Sequence, residues 1–148
     1  MHPVYRFFKT PASFAPTLLR LLLAGVFFVH GGQKAFGWLG GDGWTATLQQ
    51  MTAADGLHLP YALAVLGVLA EIVGAFALLL GLCTRLAAFG ILCTMTVAVS
   101  YVHWKAGFLA RNGGFEYPLT LGIVALALML TGGGRFSMDR AITSQLMP

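Results

Sequence analysis

Residues 59–82 form an apolar run that is long enough to cross a lipid bilayer and contains a single charged side chain, Glu71. About 20 apolar residues span the hydrocarbon core as a helix. Lipid offers the backbone no hydrogen bonds, so such a segment has to be α-helical. A charged group at this depth costs roughly 2.5–3.5 kcal/mol on insertion scales, and it usually faces a protein interior or a wet pathway. Glu71 is therefore the first candidate for a functional residue.

Three further apolar runs, at about 16–36, 84–105 and 116–132, bring the number of predicted membrane spans to four. The chain is 57% hydrophobic and only 9% charged, whereas soluble proteins average about 25% charged residues. We therefore expect one membrane domain over residues 1–148, with the all-α fold of an antiparallel four-helix bundle. The connection 37–58 contains a predicted amphipathic helix, Trp44–Ala54, and we expect Trp38 and Trp44 to anchor it at the outer interface.

The basic residues predict the orientation of the spans. Six are expected on one side and three on the other, and positive residues favour the cytoplasmic side. Both termini are therefore expected in the cytoplasm of a bacterium, with the chain crossing the inner membrane several times. The inner set is Arg6, Lys9, Arg20, Arg85, Arg135 and Arg140, and the outer set is Lys34, Lys105 and Arg111. Because the basic residues are scattered, with no aromatic-basic motif, no nucleic-acid partner is expected.

Polar side chains recur at helical spacing near the outer side. His30 and Lys34 are four residues apart with Gln33 between them, so the three share one helical surface. Together with His103 and Glu116, they are expected to line one pocket that opens outward. Glu71 would lie about 16 Å below the outer end of its helix.

The ion pairs of this bundle can be arranged in more than one way. Lys34 is expected to meet Glu116 rather than Glu71. Arg20 can reach either Glu71 or Asp139, and Glu71 is expected either to pair with Arg20 or to stay protonated. Arg20, Arg135 and Asp139 together predict a structural clamp at the cytoplasmic end, in which Asp139 pairs with an arginine across the bundle.

Several segments resemble the DoxX family of small four-helix bacterial membrane proteins, and the resemblance runs from about residue 16 to 140. A minor departure is the run Gly132–Arg135, where the family often has Gly-Pro-Gly-Arg. The matching segments are Leu19–Lys34, Ala70–Gly74, Gly81–Arg85, His103, Gly113–Leu119 and Thr131–Asp139.

The resemblance implies an association with oxidoreductases, because some relatives are described as the membrane subunit of a thiosulfate:quinone oxidoreductase. Others are described as partners of thiol- or superoxide-handling enzymes. This chain has no recognised flavin, haem or iron–sulfur motif, and Cys83 and Cys93 lack the spacing of a cluster or redox pair. A protein partner that carries the redox centre, or a homo-oligomer, is therefore expected.

The first functional hypothesis is a quinone-interacting subunit of a membrane redox system. A quinone site needs an apolar slot, hydrogen-bond donors and a route for protons. The predicted catalytic residues are Glu71, His103 and Glu116, with the two carboxyl groups relaying protons. The predicted substrate-binding residues are His30, Gln33, Lys34, Trp104 and Tyr117. Trp104 is alternatively part of an interfacial aromatic belt.

Two alternatives belong to other functional classes. In the first, His30, His103, Glu71 and Glu116 bind or relay a metal ion, since imidazole and carboxylate suit zinc, iron or copper. The four residues come from four helices, with no short HxxxH or ExxH pair, so no metal site is predicted from a motif. In the second, the polar interior only locks the helices together, and the bundle is a non-catalytic scaffold that docks a partner enzyme.

Overall fold

The computed structural model describes residues 8–145, and this part of the chain is helical, without β-strands. The helix Thr84–Val97 continues through a π-helical turn, Ala98–His103, and a 3₁₀ turn, Trp104–Ala106. The α-helices are α1 Ala15–Phe36, α2 Gly43–Thr52, α3 Tyr61–Leu80, α4 Thr84–Val97, α5 Glu116–Thr131 and α6 Met138–Gln145.

Local sequence signals explain where the long helices begin and end. Pro16 occupies the first turn of α1, where its missing N–H costs no helical hydrogen bond. The helix α3 ends at Gly81, which has a left-handed φ of 67°. A Cβ atom at this position would lie 2.6 Å from Cβ of Ser137, so the turn requires glycine for both its conformation and its space.

Among the described residues, three helical segments are long and apolar enough to cross a membrane: Ala15–Phe36, Tyr61–Leu80 and Thr84–Ala106. The fourth predicted span is the shorter apolar helix α5, whose 16 residues extend about 24 Å. Many large apolar side chains face outward on these helices, as expected for surfaces in contact with lipid tails. Examples are Leu22, Leu66, Val73, Leu86, Ile123 and Leu130.

The main core joins α1, α3, α4 and α5. The helix α1 packs chiefly against α3, and α4 packs chiefly against α5 and α3. Phe27 of α1 and Leu78 of α3 are among the most deeply buried side chains. The other members of the core are Leu23, Ala24, Ala75, Ala88, Ile91, Met95, Leu121, Ala125 and Leu128.

The connection between α1 and α3 folds back onto the helices that it joins. Its helix α2 ends at Thr52, two residues before the predicted boundary at Ala54. Leu48 is buried against Ala64 and Val68 of α3, so α2 covers the beginning of that helix.

The first and last described segments of the chain meet at one end of the molecule, and the longer connections lie at the other end. Oγ1 of Thr143 donates a hydrogen bond to the carbonyl of Phe8 at 3.0 Å, so the first and last described segments meet. We call this the terminal end, and we call the opposite end, with α2 and residues 107–115, the loop end. Arg6, part of the predicted cytoplasmic set of basic residues, lies outside the described residues.

Candidate functional site

Glu71 is buried at the middle of α3 and forms an ion pair with Lys34 of α1. Nζ of Lys34 donates a hydrogen bond to Oε1 of Glu71 at 2.5 Å. The Glu71 side chain is 4% exposed and the Lys34 side chain 38% exposed, so the pair runs from the interior towards the loop end. The second carboxylate oxygen, Oε2, is buried and has no hydrogen-bond partner among residues 8–145. Glu71 therefore retains unused capacity to accept hydrogen bonds.

This pairing corrects two predictions made from the sequence. The expectation that Lys34 meets Glu116 is wrong, and so is the expected pairing of Glu71 with Arg20. The reason is geometric. Lys34 is two residues from the end of α1, but its flexible side chain extends back along the helix towards the midpoint of α3. Arg20 instead donates hydrogen bonds to backbone carbonyls at the terminal end.

A close contact between backbones holds α1 and α3 together at this point. A Cβ atom at Gly31 would lie 2.9 Å from both Cα and N of Ile72, the residue after Glu71. Real side chains do not tolerate such a distance, so the approach depends on glycine. Small residues commonly permit this packing between membrane helices. Gly31 thereby allows the Lys34 side chain to reach Glu71.

A cavity of about 470 Å³ lies beside the ion pair, between α3, α4 and the segment that connects α2 to α3. Its polar wall consists of Lys34, Glu71, Cys93 and Thr94, and the remaining walls are apolar. Among the apolar lining residues, Leu63, Leu66 and Phe89 have exposed side chains. The rim of the cavity therefore lies on the outer apolar surface of the helices. The other lining residues are Met51, Leu57, Leu59, Gly67, Ala70, Gly90, Met95, Val97, Ala98 and Val102.

The remaining residues predicted for catalysis are not among those that line this cavity. Nδ1 of His103 hydrogen-bonds to the carbonyl of Gly113 at 2.6 Å. Oε2 of Glu116 accepts a hydrogen bond from the backbone N–H of Ala110 at 2.9 Å. Both side chains therefore stabilise the loop before α5. The structure does not bring these two groups to the cavity, because the loop folds over the end of α4 and binds them through its backbone.

The other predicted binding residues also lie outside the cavity lining. The rings of His30 and Tyr117 are in edge contact, with centroids 6.3 Å apart, which joins α1 to α5. Trp104 stacks on Phe115 with centroids 5.2 Å apart. Gln33 is half-buried on α1. Of the eight predicted catalytic and binding residues, the structure thus brings Glu71 and Lys34 together at the cavity.

The metal hypothesis requires its four ligands to converge, and the structure separates them. Glu71 faces Lys34, whereas His103 and Glu116 bond to the backbone of the loop end. Within the described ranges, no group of three or more His, Cys, Asp or Glu side chains could hold a metal ion.

At the terminal end, buried charges bind the ends of helices. Arg20 is 2% exposed, and its guanidinium donates to the carbonyls of Leu78, Leu79, Phe136 and Gly133. The first two carbonyls close α3, where a cation is favoured by the helix dipole. Arg20 therefore joins α1, α3 and the segment before α6.

Asp139 acts at the beginning of α4. Its carboxylate accepts hydrogen bonds from the N–H groups of Cys83 at 2.7 Å and Thr84 at 2.9 Å, an arrangement that suits a helix N-terminus. The predicted ion pair between Asp139 and an arginine is not present among the described residues.

Burial raises the pKa of the Cys83 thiol, and the negative charge of Asp139 raises it further.

Arg85, and not the predicted Arg135, is the second arginine that binds a helix end in the clamp. Nη1 of Arg85 donates to the carbonyls of Met129 at 2.6 Å and Leu130 at 2.7 Å, at the end of α5. Arg135 is exposed, and its guanidinium lies 5.6 Å from the ring of Phe136. The sequence did contain a signal for Arg85, since the tight turn between α3 and α4 places it beside a helix end.

Comparisons with known proteins identify the family of this chain. The sequence profile of the DoxX family matches residues 15–104, which include α1 to α4 and the whole cavity lining. The chain belongs to the DoxX family. The resemblance found in the sequence is therefore confirmed, and this DoxX chain is a membrane protein with an all-α fold.

Relatives of this DoxX chain come from two bacteria. Two uncharacterized proteins of Haemophilus influenzae are 29% and 33% identical, and the alignments cover 84% and 82% of this chain and 81% and 85% of theirs. A Bacillus subtilis protein named "Putative oxidoreductase CatD" is 33% identical, with 82% of each chain covered. No solved structure matches the chain significantly.

Proposed function

We propose that this chain is the membrane subunit of a redox system and that its cavity binds a quinone. The observation that carries the proposal is the cavity of about 470 Å³, which has apolar walls and the Lys34–Glu71 ion pair at its polar side. Small-molecule sites commonly combine apolar walls with a few polar groups that orient the ligand.

The chemistry of the polar wall suits a quinone head group. Lys34 carries three N–H donors and uses one of them on Glu71, so others are free to bind a ligand oxygen. Glu71 can exchange a proton with that oxygen as its charge changes during reduction or oxidation. The isoprenoid tail would leave between α3 and α4, past the exposed side chains of Leu66 and Phe89, into the surrounding lipid.

A partner protein completes the redox reaction in this proposal. The name of the Bacillus subtilis relative supports a redox role. The sequence has no recognised motif for an electron-transfer cofactor, so a partner that carries the redox centre, or a second copy of the chain, would exchange electrons with the quinone. Metal handling receives no comparable support from the arrangement of His and carboxylate residues.

The proposed membrane arrangement is an antiparallel four-helix bundle of α1, α3, α4 and α5 in the bacterial inner membrane. Two observations support it. A short turn joins α3 to α4. In addition, helix ends meet at the terminal end: Arg20 of α1 binds the end of α3, Arg85 of α4 binds the end of α5, and Asp139 of α6 binds the beginning of α4. This arrangement places both termini on the arginine-rich side, which the charge distribution assigns to the cytoplasm.

The test fills the cavity without touching the ion pair. A Cβ atom at Gly67 would meet only Cε of Met51 at 3.5 Å and Cγ2 of Thr94 at 3.9 Å, so a larger side chain there would enter the cavity. We expect purified wild-type protein to retain extractable quinone and Gly67→Phe to lose at least about ten-fold of it. Gly25→Phe is the matched control, since nothing lies within 4 Å of a Cβ atom at Gly25.

Quinone content is measured by solvent extraction and chromatography, relative to protein. Normal quinone content in Gly67→Phe would contradict the proposed location of the site. A wild-type protein that is folded but takes up no quinone when it is supplied would instead support the scaffold function.

A further inference from the structure

We propose that the cavity selects a head group that carries a hydroxyl donor, and therefore binds the quinol form more tightly than the quinone form. This inference rests on the proposed function and specifies which redox form of the ligand the site recognises. It follows from the hydrogen-bonding inventory of the cavity wall, in which a buried carboxylate has more acceptor capacity than the protein uses.

The carboxylate of Glu71 is the strongest acceptor in that wall. It forms an ion pair with the ammonium of Lys34, and the carboxylate of such a pair accepts hydrogen bonds without donating them. One oxygen accepts from Nζ of Lys34, while Oε2 has no partner within the described part of the chain. A buried acceptor without a partner is costly, so a ligand that supplies a donor gains affinity.

The neighbouring polar side chains do not meet this need. Thr94 also lines the cavity, but its hydroxyl donates to the carbonyl of Ile91 at 2.9 Å. The thiol of Cys93 is a weak donor. Lys34 directs one N–H at Oε1 and leaves its other two for additional partners.

Quinol and quinone differ in how they can use this pair. A quinol hydroxyl can donate to Glu71 and accept from Lys34 at the same time. A quinone carbonyl can only accept, so it can bind Lys34, but it brings its lone pairs towards the carboxylate oxygens and leaves Oε2 without a donor. Sites built to bind a hydroxyl discriminate strongly against analogues that lack it. We expect a preference of about ten-fold or more, which corresponds to about 1.4 kcal/mol.

The experiment compares three ligands on the purified full chain in lipid nanodiscs, without oxygen: a short-chain quinol, the corresponding quinone, and the dimethyl ether of the quinol. The ether keeps the reduced ring but has no donor. We expect the quinol to bind at least about ten-fold more tightly than the other two. Equal affinity of all three would overturn this inference and leave the proposed function intact, whereas no binding of any of them would remove both.

A substitution assigns the preference to Glu71. In Glu71→Gln, the amide supplies N–H donors in place of an acceptor-only group, so the preference should fall to within about two-fold. Asp55→Asn is the matched control, because it removes an exposed negative charge outside the cavity lining and should leave the preference unchanged. An undiminished preference in Glu71→Gln would contradict the role of this carboxylate, and the wild-type comparison stays decisive if that variant does not fold.

Discussion

Gly31 of α1 lies so close to Ile72 of α3 that a Cβ atom at position 31 would be 2.9 Å from Cα and N of Ile72. The contact is adjacent to Glu71 in sequence and about one helical turn from Lys34. A missing side chain on one helix therefore allows an ion pair between the two helices. The cavity wall formed by Lys34 and Glu71 depends on this approach.

Gly31→Ala should separate the two helices. The added methyl group would contact backbone atoms that cannot rotate away, so we expect a loss of about 1–3 kcal/mol in the free energy of unfolding. Gly25→Ala on the same helix adds the same group to open space. Denaturant titration in detergent micelles measures both variants. Equal stabilities of Gly31→Ala and Gly25→Ala would show that the helices do not meet as described.

Lys34→Met should be more harmful than Glu71→Gln, because it leaves a buried carboxylate without its counter-ion. We expect Lys34→Met to lose about 1–3 kcal/mol, and the double variant Lys34→Met/Glu71→Gln to recover part of that loss. The coupling between the two sites is obtained from the four unfolding free energies. Strictly additive losses would mean that the two side chains do not interact.

If Glu71 relays protons, Glu71→Gln should also abolish turnover of the proposed quinone reaction while the variant is present in the membrane at normal abundance.

Arg20→Met should destabilise the protein by about 3 kcal/mol or more, since four backbone carbonyls would lose a charged donor. Arg135→Met is the matched control. Its guanidinium is exposed and lies 5.6 Å from the centre of the Phe136 ring, so its loss should cost less than about 1 kcal/mol. Thermal unfolding in detergent compares the two, and similar midpoints would contradict the assignment of Arg20 to the clamp.

The thiol of Cys83 should react at a higher pH than an ordinary thiol. Burial and then the charge of Asp139 raise its pKa, and the thiolate is the reactive form. In a Cys93→Ser background, the pH midpoint of alkylation should therefore lie above that of the same chain after denaturation. Asp139→Asn should lower the midpoint only partly, because burial is the larger cause. A midpoint equal to that of the denatured chain would contradict the shift.

A reporter protein fused after Pro148 should behave as a cytoplasmic one. The expectation follows from the six basic residues on one side and the three on the other. A reporter inserted after Asp55, in the connection between α2 and α3, should behave as exported. The reverse pattern would invert the proposed orientation of the cavity without altering its structure.

The sequence predicted the elements of this protein because their causes are local. Apolar runs of about 20 residues have to be helical in lipid, and Pro16, Gly37 and Gly81 mark helix boundaries through their own backbone preferences. The position of Glu71 in the middle of an apolar helix likewise predicted that its side chain faces the protein interior, because a charged group exposed to lipid is costly. Family membership also followed from the order and spacing of these segments.

Only the tertiary structure decided which residue pairs with Glu71 and where the cavity lies. The spacing along the chain left open whether Glu71 pairs with Arg20 or stays protonated, and it favoured Glu116 as the partner of Lys34. Lys34 is the partner of Glu71 because the close contact at Gly31 brings α1 against α3. Arg20 and Arg85 are instead bound to the carbonyls of helix ends. Such partners are distant in sequence and are selected by the packing of whole helices, so local patterns could place each side chain on its helix but could not specify which helix it meets.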